Sequence, residues 1–590
     1  MKCARLALAV VVFTAAVFGG EEYPLGPDSK PQEGVPKGDV LKFTFDKSNI
    51  FPGTTREYWI YVPKQYDPAT PACLHVNQDG IQFQAPQVFD NLIHKKEMPV
   101  TIGVFIMHGR VKADDNTTQI DRFNRCVEYD AIDDRYVRFL LEELLPDVET
   151  KKTADGRPIR FSKNGNDRSI AGSSSGAICA FTAAWHRPDS FTRVFTCVGT
   201  FVDQRGGNVY PALIRKTETK PLRVFQQDGS HDANGGGGNW FLANQEVLSA
   251  LEFAGYESNH SWGEGGHDGK HATAIFPDAM RWLWKDWPKP VARGVSPKQT
   301  VAKILAPDEG WQVVGEGYNF TEGPAANAKG EVFFTDLPNS RIYKIGLDGK
   351  VAVFAENTGR ANGLAFGPDG TLYACADGKK QIVAYSPDAK ETVIASDVNS
   401  NDICVSHAGA IYFTDPPKKQ IWFIPPPNEK GERGEKRVVD TNTNEAEGLS
   451  YPNGIRFSPD QTLLAVTDTK GVVGWSYRIQ KDGSLTAKQR FHYLHVPDGE
   501  ADSGADGMTY DTEGRLYIAT KMGIQLTDQT GRNIGIISKP QNKWLANVTF
   551  GGAEFNELYA CCNDKVYKRK TQVKGLRACD PPIKTKDPPL

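Results

Sequence analysis

No surplus of positive charge marks this chain. Across 590 residues, 69 lysines and arginines face 72 aspartates and glutamates, a formal net charge of −3. Without a basic excess there is no electrostatic footprint for a phosphate backbone, and nucleic-acid partners are not expected. Paired-cysteine metal motifs are missing too: the ten cysteines include no CxxC and no metal-like spacing. Beyond residue 20 no apolar run is long enough to cross a bilayer, so no stable membrane insertion of the mature chain is expected. The earlier run, Leu6 to Phe18, follows Lys2 and Arg5 and precedes Gly19 and Gly20. That order predicts a signal peptide over 1–20, cleaved to leave a secreted or periplasmic protein. Cys3 leaves with it. The nine remaining cysteines are an odd number that no spacing pairs, and most are expected to be buried small apolar groups.

What is present falls into two halves with different patterning. A chain of this length exceeds one core, so two domains are expected. From about 35 to 288, strand-like runs alternate with helical patterns. REYWIYVP (56–63), VTIGVFIMHG (100–109) and LRVFQQDGSHD (222–232) read as strands; RYVRFLLEELLPDVE (135–149) and NWFLANQEVLSALEFAGY (239–256) read as helices. This alternation predicts a mostly parallel sheet flanked by helices. Residues 289–305, proline-bearing and without amphipathic period, read as a linker. From 306 to 575 helical patterns vanish and strand-turn-strand units repeat.

Within the first half, AGSSSG places Ser174 in a G-x-S-x-G turn between a strand and a helix, the setting that presents a hydroxyl at a sheet's end. A serine nucleophile needs a base, and the base an orienting carboxylate, in the chain order Ser, acid, His. QDGSHDAN offers Asp228 and Asp232, and the residue beyond the turn, Asp232, is preferred. WGEGGHDGKH offers His267 in a glycine-rich loop, with His260 and His271 as its structural neighbours. The backbone N–H of Ser175 and one near Gly80 or Ile81 are the expected oxyanion donors. On FPGTTREYWIYVP, VNQDG, NRCVEYD, LLEELLP, AGSSSG, QDGSHD, GNWFLAN and GEGGHD, in that order, residues of about 40–288 resemble the esterases related to enterochelin esterases and to family 1 carbohydrate esterases. VNQDG stands where many of those relatives carry His-Gly. The resemblance implies an α/β-hydrolase with a Ser174, Asp232, His267 triad and no cofactor.

In the second half six segments each begin with a polar head and run into a short strand. The heads are Glu322, Asn362, Asn401, Asn453, Asp506 and Asn547, spaced 40, 39, 52, 53 and 41 residues apart. Such a period predicts a six-bladed propeller with the heads on one ring around the central channel. Carboxylate and amide oxygens without histidine or thiolate suit a hard divalent ion, Ca²⁺ first and Mg²⁺ next, with Zn²⁺ or Mn²⁺ compatible. Asp402, beside Asn401, is a spare carboxylate able to move protons. On TEGP, SND, YPNG, GADGM and NVTFGG, residues 306–570 resemble the SMP-30/gluconolactonase/luciferin-regenerating-enzyme family. The resemblance implies metal ligands at Glu322, Asn453 and Asp506, a substrate-contacting or auxiliary position at Asn401, and a metal-dependent lactonase. The whole is expected to be a multidomain hydrolase: a serine esterase fused to a lactonase, acting on small-molecule or carbohydrate esters and lactones. The alternative is an esterase carrying a propeller that only binds glycan or a partner.

Overall fold

The computed structural model describes residues 22–114, 118–441, 448–577 and 580–587. The signal peptide expected over 1–20, Cys3 and Cys579 lie outside the described residues. The chain divides into two compact units: residues up to Asn208 with Pro221–Leu248 and Glu257–Ala292, and a second of Val209–Lys220, Ser249–Tyr256 and everything from Arg293 onward.

The first unit is built on an eight-stranded sheet. Its strands are β1 (Asp39–Phe45), β2 (Arg56–Val62), β3 (Cys73–Gln78), β4 (Thr101–Ile106), β5 (Arg168–Ser173), β6 (Arg193–Cys197), β7 (Arg223–Gly229) and β8 (Glu257–Gly263). They lie in the order β1-β2-β4-β3-β5-β6-β7-β8. β2 runs antiparallel to both neighbours, and every pairing from β4 to β8 is parallel. The patterning explains the placement. β3, β4, β6 and β7 are buried along their whole lengths, as strands covered on both faces must be. β1 alternates exposed and half-buried positions, as an edge strand does. Helices α1 (Ala85–His94), α2 (Ser175–His186), α3 (Trp240–Ala254) and α4 (Lys270–Trp284) follow the crossovers. Phe89 of α1 and Phe276 of α4 join Phe105 and Phe195 of the sheet in one apolar cluster. This is an α/β-hydrolase architecture, and its parallel strands all point their carboxyl ends to the side that carries the chemistry.

The second unit is a six-bladed propeller. Five consecutive four-stranded antiparallel sheets are followed by a sixth in which the early strand Gln312–Glu316 pairs with Lys565–Lys570 near the chain's end. That pairing closes the ring by completing the last blade with a strand from the start of the propeller. The segment read as a linker is not featureless. Thr300–Ile304 is a single helical turn, with Val301 and Ile304 buried in the core cluster of the last two blades. Gln299, also buried, donates its amide to the carbonyls of Ile214 and Thr217. Five helical residues are too few to show a period in sequence.

The eight described cysteines are unpaired, and all but Cys126 are buried. Among the described residues no helix is long and apolar enough to cross a membrane.

Candidate active sites

Ser174 sits between the last residue of β5 and the first of α2, with φ +57° and ψ −121°. A non-glycine residue rarely holds such a backbone, and here the neighbouring glycines permit it. A Cβ on Gly172 would lie 2.3 Å from the carbonyl oxygen of Gly176. The strand and helix can meet this closely only because Gly172 lacks a side chain, and Gly176 in turn leaves room for Gln78 and Asp79. The turn lifts the Ser174 hydroxyl to 2.9 Å from His267 Nε2, and His267 Nδ1 lies 2.5 Å from Asp232 Oδ1. The structure thus brings Ser174, His267 and Asp232 into one hydrogen-bonded line.

Asp228, the competing acid, is fully buried one layer behind. Its oxygens accept from the Gly229 N–H at 2.7 Å and from Asn244 Nδ2 at 2.8 Å. Burial, and then the neighbouring Asp232 carboxylate, push its pKa up to about 9. For Asp232, burial works against ionisation, but hydrogen bonds from His267 and Asp228 outweigh it and hold the carboxyl below its ordinary value. With both carboxyls ionised, the buried Asp232 Oδ2 would have no partner; a proton on Asp228 supplies one. The two acids therefore divide into one anion that orients the base and one neutral support. Asp232→Asn is expected to lower kcat roughly 10,000-fold by fixing the wrong imidazole tautomer. Asp228→Asn, which keeps a donor, is expected to cost about fivefold or less, the worth of one rearranged neutral hydrogen bond. Steady-state rates on a nitrophenyl ester separate the two.

Of the expected oxyanion donors, Ser175 opens α2, where a backbone N–H has no intrahelical partner. Gly80 departs from the expectation. Its N–H is already donated to the Ile106 carbonyl at 3.1 Å, and its own carbonyl is held by Asn77 Nδ2 at 3.0 Å. Its φ of +74° serves the turn instead. Ile81, 42% exposed, is left as the strand-side candidate. One support was not visible in sequence. The Tyr23 hydroxyl accepts from the N–H groups of Glu264 (2.9 Å) and Gly265 (3.2 Å), and its ring stacks on His271 at 4.2 Å. It braces the loop that carries His267 from 241 residues away.

In the propeller the six heads line one end of the channel. Glu322, Asn362, Asn401, Asn453 and Asp506 border a cavity of about 390 Å³. Glycines set their spacing. A Cβ on Gly323 would lie 2.0 Å from Asn362 O, on Gly363 2.3 Å from Asp402 Oδ1, on Gly454 2.3 Å from Asp506 O, and on Gly507 1.8 Å from Asn547 Cγ. The residue after each of these heads therefore packs under the head of the next blade. Asp402 stands where those heads are followed by glycine, and its carboxylate fills the ring. Gly323→Ala adds a positive φ of +52° to the clash and is expected to destabilise the fold by roughly 3 kcal/mol. Gly310→Ala, which meets nothing within 4 Å, is the control that leaves the denaturation midpoint unmoved.

Asn547 Nδ2 bridges Glu322 Oε2 (3.1 Å) and both oxygens of Asp402 (3.3 and 3.2 Å). Trp544 Nε1 donates to Asp506 Oδ2 at 2.8 Å, and Asn453 Nδ2 to Thr469 Oγ1 at 3.0 Å. These contacts leave Oδ1 of Asn362, Asn401, Asn453 and Asp506 buried with no protein partner. Burial, and then the nearby Asp506 and Asp402 charges, drive Glu322 well above the ordinary carboxylate value. Burial raises Asp506 likewise and lifts Asp402 to about 6. Buried carboxylates and orphan amide oxygens facing one cavity form an oxygen-only donor set that fits a hard cation. Among the described residues no group of three or more His, Cys, Asp or Glu is arranged as metal ligands; two carboxylates and amide oxygens make up this set. Trp544, Thr469 and Lys470, which also border the cavity, carry no repeat signal in the sequence.

Residues 48–286 match the Esterase family model, and residues 320–562 match the SMP-30/Gluconolactonase/LRE-like region. A gluconolactonase of Zymomonas mobilis is 28% identical over 299 residues, covering 45% of this chain and 82% of the relative. A solved gluconolactonase of Xanthomonas campestris is 25% identical, covers 46% of this chain and 92% of its own, and has a TM-score of 0.40. The enterobactin esterase of Shigella flexneri is 20% identical, covers 44% of this chain and 63% of its own, with a TM-score of 0.33. An esterase-family region and a gluconolactonase-like region in one chain support a two-domain hydrolase.

Proposed function

We propose that this chain is an exported hydrolase with two independent active sites, a serine carboxylesterase in the α/β unit and a divalent-metal-dependent lactonase in the propeller. The observation that carries the first half is the unbroken line from Ser174 to His267 to Asp232. His267 takes the Ser174 proton as Oγ attacks the ester carbonyl. The N–H groups of Ser175 and Ile81 receive the oxygen that gains charge. His267 then returns the proton to the leaving alcohol, and water repeats the sequence on the acyl-enzyme. Asp232 keeps the imidazole in the tautomer that can do this.

For the second half the carrying observation is the set of converging oxygens left without protein partners. Glu322, Asn453 and Asp506 would hold the ion, with Ca²⁺ the best fit to an all-oxygen set. Such an ion, when bound, polarises a lactone carbonyl and lowers the pKa of water. Asn401 is placed to contact the substrate, and Asp402, steadied by Asn547, to accept a proton from the attacking water. Carbohydrate-linked acyl esters and sugar-derived lactones are the substrate classes that the two families suggest. Export rests on the signal pattern over 1–20. A glycan-binding propeller is the second reading.

Two measurements test the pair. A fluorophosphonate should label Ser174 and no other serine, read by peptide mass spectrometry. Elemental analysis of the dialysed protein should find one divalent ion per chain. No label on Ser174 would refute the esterase, and a metal-free protein that stays metal-free in millimolar Ca²⁺ would refute the metal-dependent lactonase.

A further inference from the structure

The ester-cleaving site holds a hydroxyl that the triad does not use. Thr200 lies just after β6 and is 2% exposed. Its Oγ1 is 3.2 Å from Ser174 Oγ, and Trp240 Nε1, at the start of α3, donates to the same Oγ1 at 3.2 Å. The position is rigidly held. The Thr200 N–H donates to the Ser174 carbonyl, and Asn244 Nδ2 holds the carbonyl of Gly199 at 2.8 Å. The Trp240 ring meets His267 edge-on, with centroids 5.8 Å apart at 78°. Trp240 therefore touches both the base and the residue behind the nucleophile.

Hydrogen-bond chemistry sets the direction of the links at the two ends, and with the Ser174 proton on His267 Nε2 the central link runs from Thr200 to Ser174. An indole N–H can only donate, so Thr200 Oγ1 accepts from Trp240, and its own O–H is free to turn to Ser174. At the other end an ionised Asp232 can only accept, so His267 carries its proton on Nδ1 and offers Nε2 as acceptor. The result is one directed chain: Trp240 to Thr200 to Ser174 to His267 to Asp232. Hydrogen bonds aligned this way polarise one another. Take away the indole donor and both lone pairs of Thr200 Oγ1 are open, which favours accepting from Ser174 and points the nucleophile's proton away from its base.

We propose that Thr200, set by Trp240, is a directing donor to the Ser174 hydroxyl, holding its proton on the His267 side for attack and stabilising Oγ as it leaves the acyl-enzyme. The proposal rests on the reading of Ser174 as nucleophile. In the attack the Oγ–carbon bond forms, the Ser174 proton passes to His267 Nε2 and the carbonyl electron pair moves onto its oxygen. The carbonyl then re-forms as the ester C–O bond breaks, and His267 gives that proton to the leaving alcohol. In the second half-reaction water adds to the acyl carbon and passes a proton to His267, and the Oγ–carbon bond breaks as His267 returns that proton to Ser174 Oγ. The Thr200 proton stays on Thr200 throughout, so the step needs no further reactant.

The test uses nitrophenyl acetate turnover and the rate of inactivation by a fluorophosphonate, measured on the full chain. Thr200→Val removes the donor at constant shape and is expected to lower kcat about tenfold with KM within about twofold. Inactivation should slow by the same factor, and Thr200→Ser should restore both to within about twofold. Trp240→Phe should lower kcat about threefold when Thr200 is present and not at all in the Thr200→Val background. The double variant also removes the indole N–H that valine strands, so it stays informative if Thr200→Val alone folds poorly. A Thr200→Val enzyme with wild-type kcat overturns the proposal. So does a Trp240→Phe loss that is equal with and without the Thr200 hydroxyl, since that would be packing against His267. Wild-type protein inert to the fluorophosphonate would instead refute Ser174 as nucleophile, a failure separate from that of Thr200.

Discussion

Ser174→Ala is expected to lower hydrolysis of nitrophenyl esters by about 100,000-fold, with the residual rate still above water because the oxyanion donors remain. The size follows from the geometry. The hydroxyl at His267 Nε2 is that of Ser174, and Thr200 Oγ1 lies 3.2 Å behind Ser174 rather than against the base. A lone imidazole facing water cannot make the acyl-enzyme. KM should change little, because the serine hydroxyl does its work in the transition state rather than in binding substrate. The same variant should leave lactone hydrolysis untouched. Rates measured after fluorophosphonate treatment of the variant remove any contribution from wild-type contaminant. An alanine variant that keeps a tenth of the wild-type ester rate would mean that a different residue carries the chemistry.

Glu322→Gln is the second large effect expected. It removes one of the two carboxylates assigned to the cation while keeping the shape, the Asn547 contact and the buried setting. A divalent ion held mainly by neutral amide oxygens and a single carboxylate is bound far more weakly. Lactone hydrolysis should fall by about 1,000-fold or more at micromolar metal, in line with loss of an ion that supplies the main charge stabilisation. Ester hydrolysis should stay within about twofold of wild type, since the bonds joining Ser174, His267 and Asp232 do not involve Glu322. Stability should move the other way. In metal-free protein, buried Glu322 faces Asp506 and Asp402 with only the hydrogen bonds from Gly323 and Asn547 to offset them, so the metal-free glutamine variant should melt no lower than metal-free wild type. Added Ca²⁺ should raise the wild-type midpoint and leave the variant's unmoved. Calorimetry with and without the ion reads both signs.

Local signals account for what the sequence disclosed about these sites. The turn around Ser174 is legible because Gly172 is forced by a contact only four residues away, with Gly176. The ring of heads is legible because each blade repeats the same strand and turn. Even the order of Asp228 and Asp232 could be read, since the loop position separates them. What stayed hidden depends on contacts far apart in the chain. Tyr23 meets the His267 loop, Trp240 and Thr200 meet Ser174, and Trp544 meets Asp506, with no motif joining the partners. Gly80 was misread for a related reason. The Asp-Gly pair marks a turn correctly, but only the neighbouring strand reveals that its N–H is taken by Ile106. The glycines after three of the heads stand in TEGP, YPNG and GADGM, yet their purpose, room for the next blade's head, is visible only once the ring is closed.

The most direct test of a second active site uses Ser174→Ala protein and gluconolactone. Acid release is followed as the protein is made, then after EDTA, then after Ca²⁺ is restored. Hydrolysis well above the spontaneous rate, abolished by EDTA and recovered with the ion, is the predicted result. Hydrolysis at the spontaneous rate across a panel of lactones, in protein shown to hold its metal, would contradict a catalytic propeller and leave it a binding domain beside an esterase.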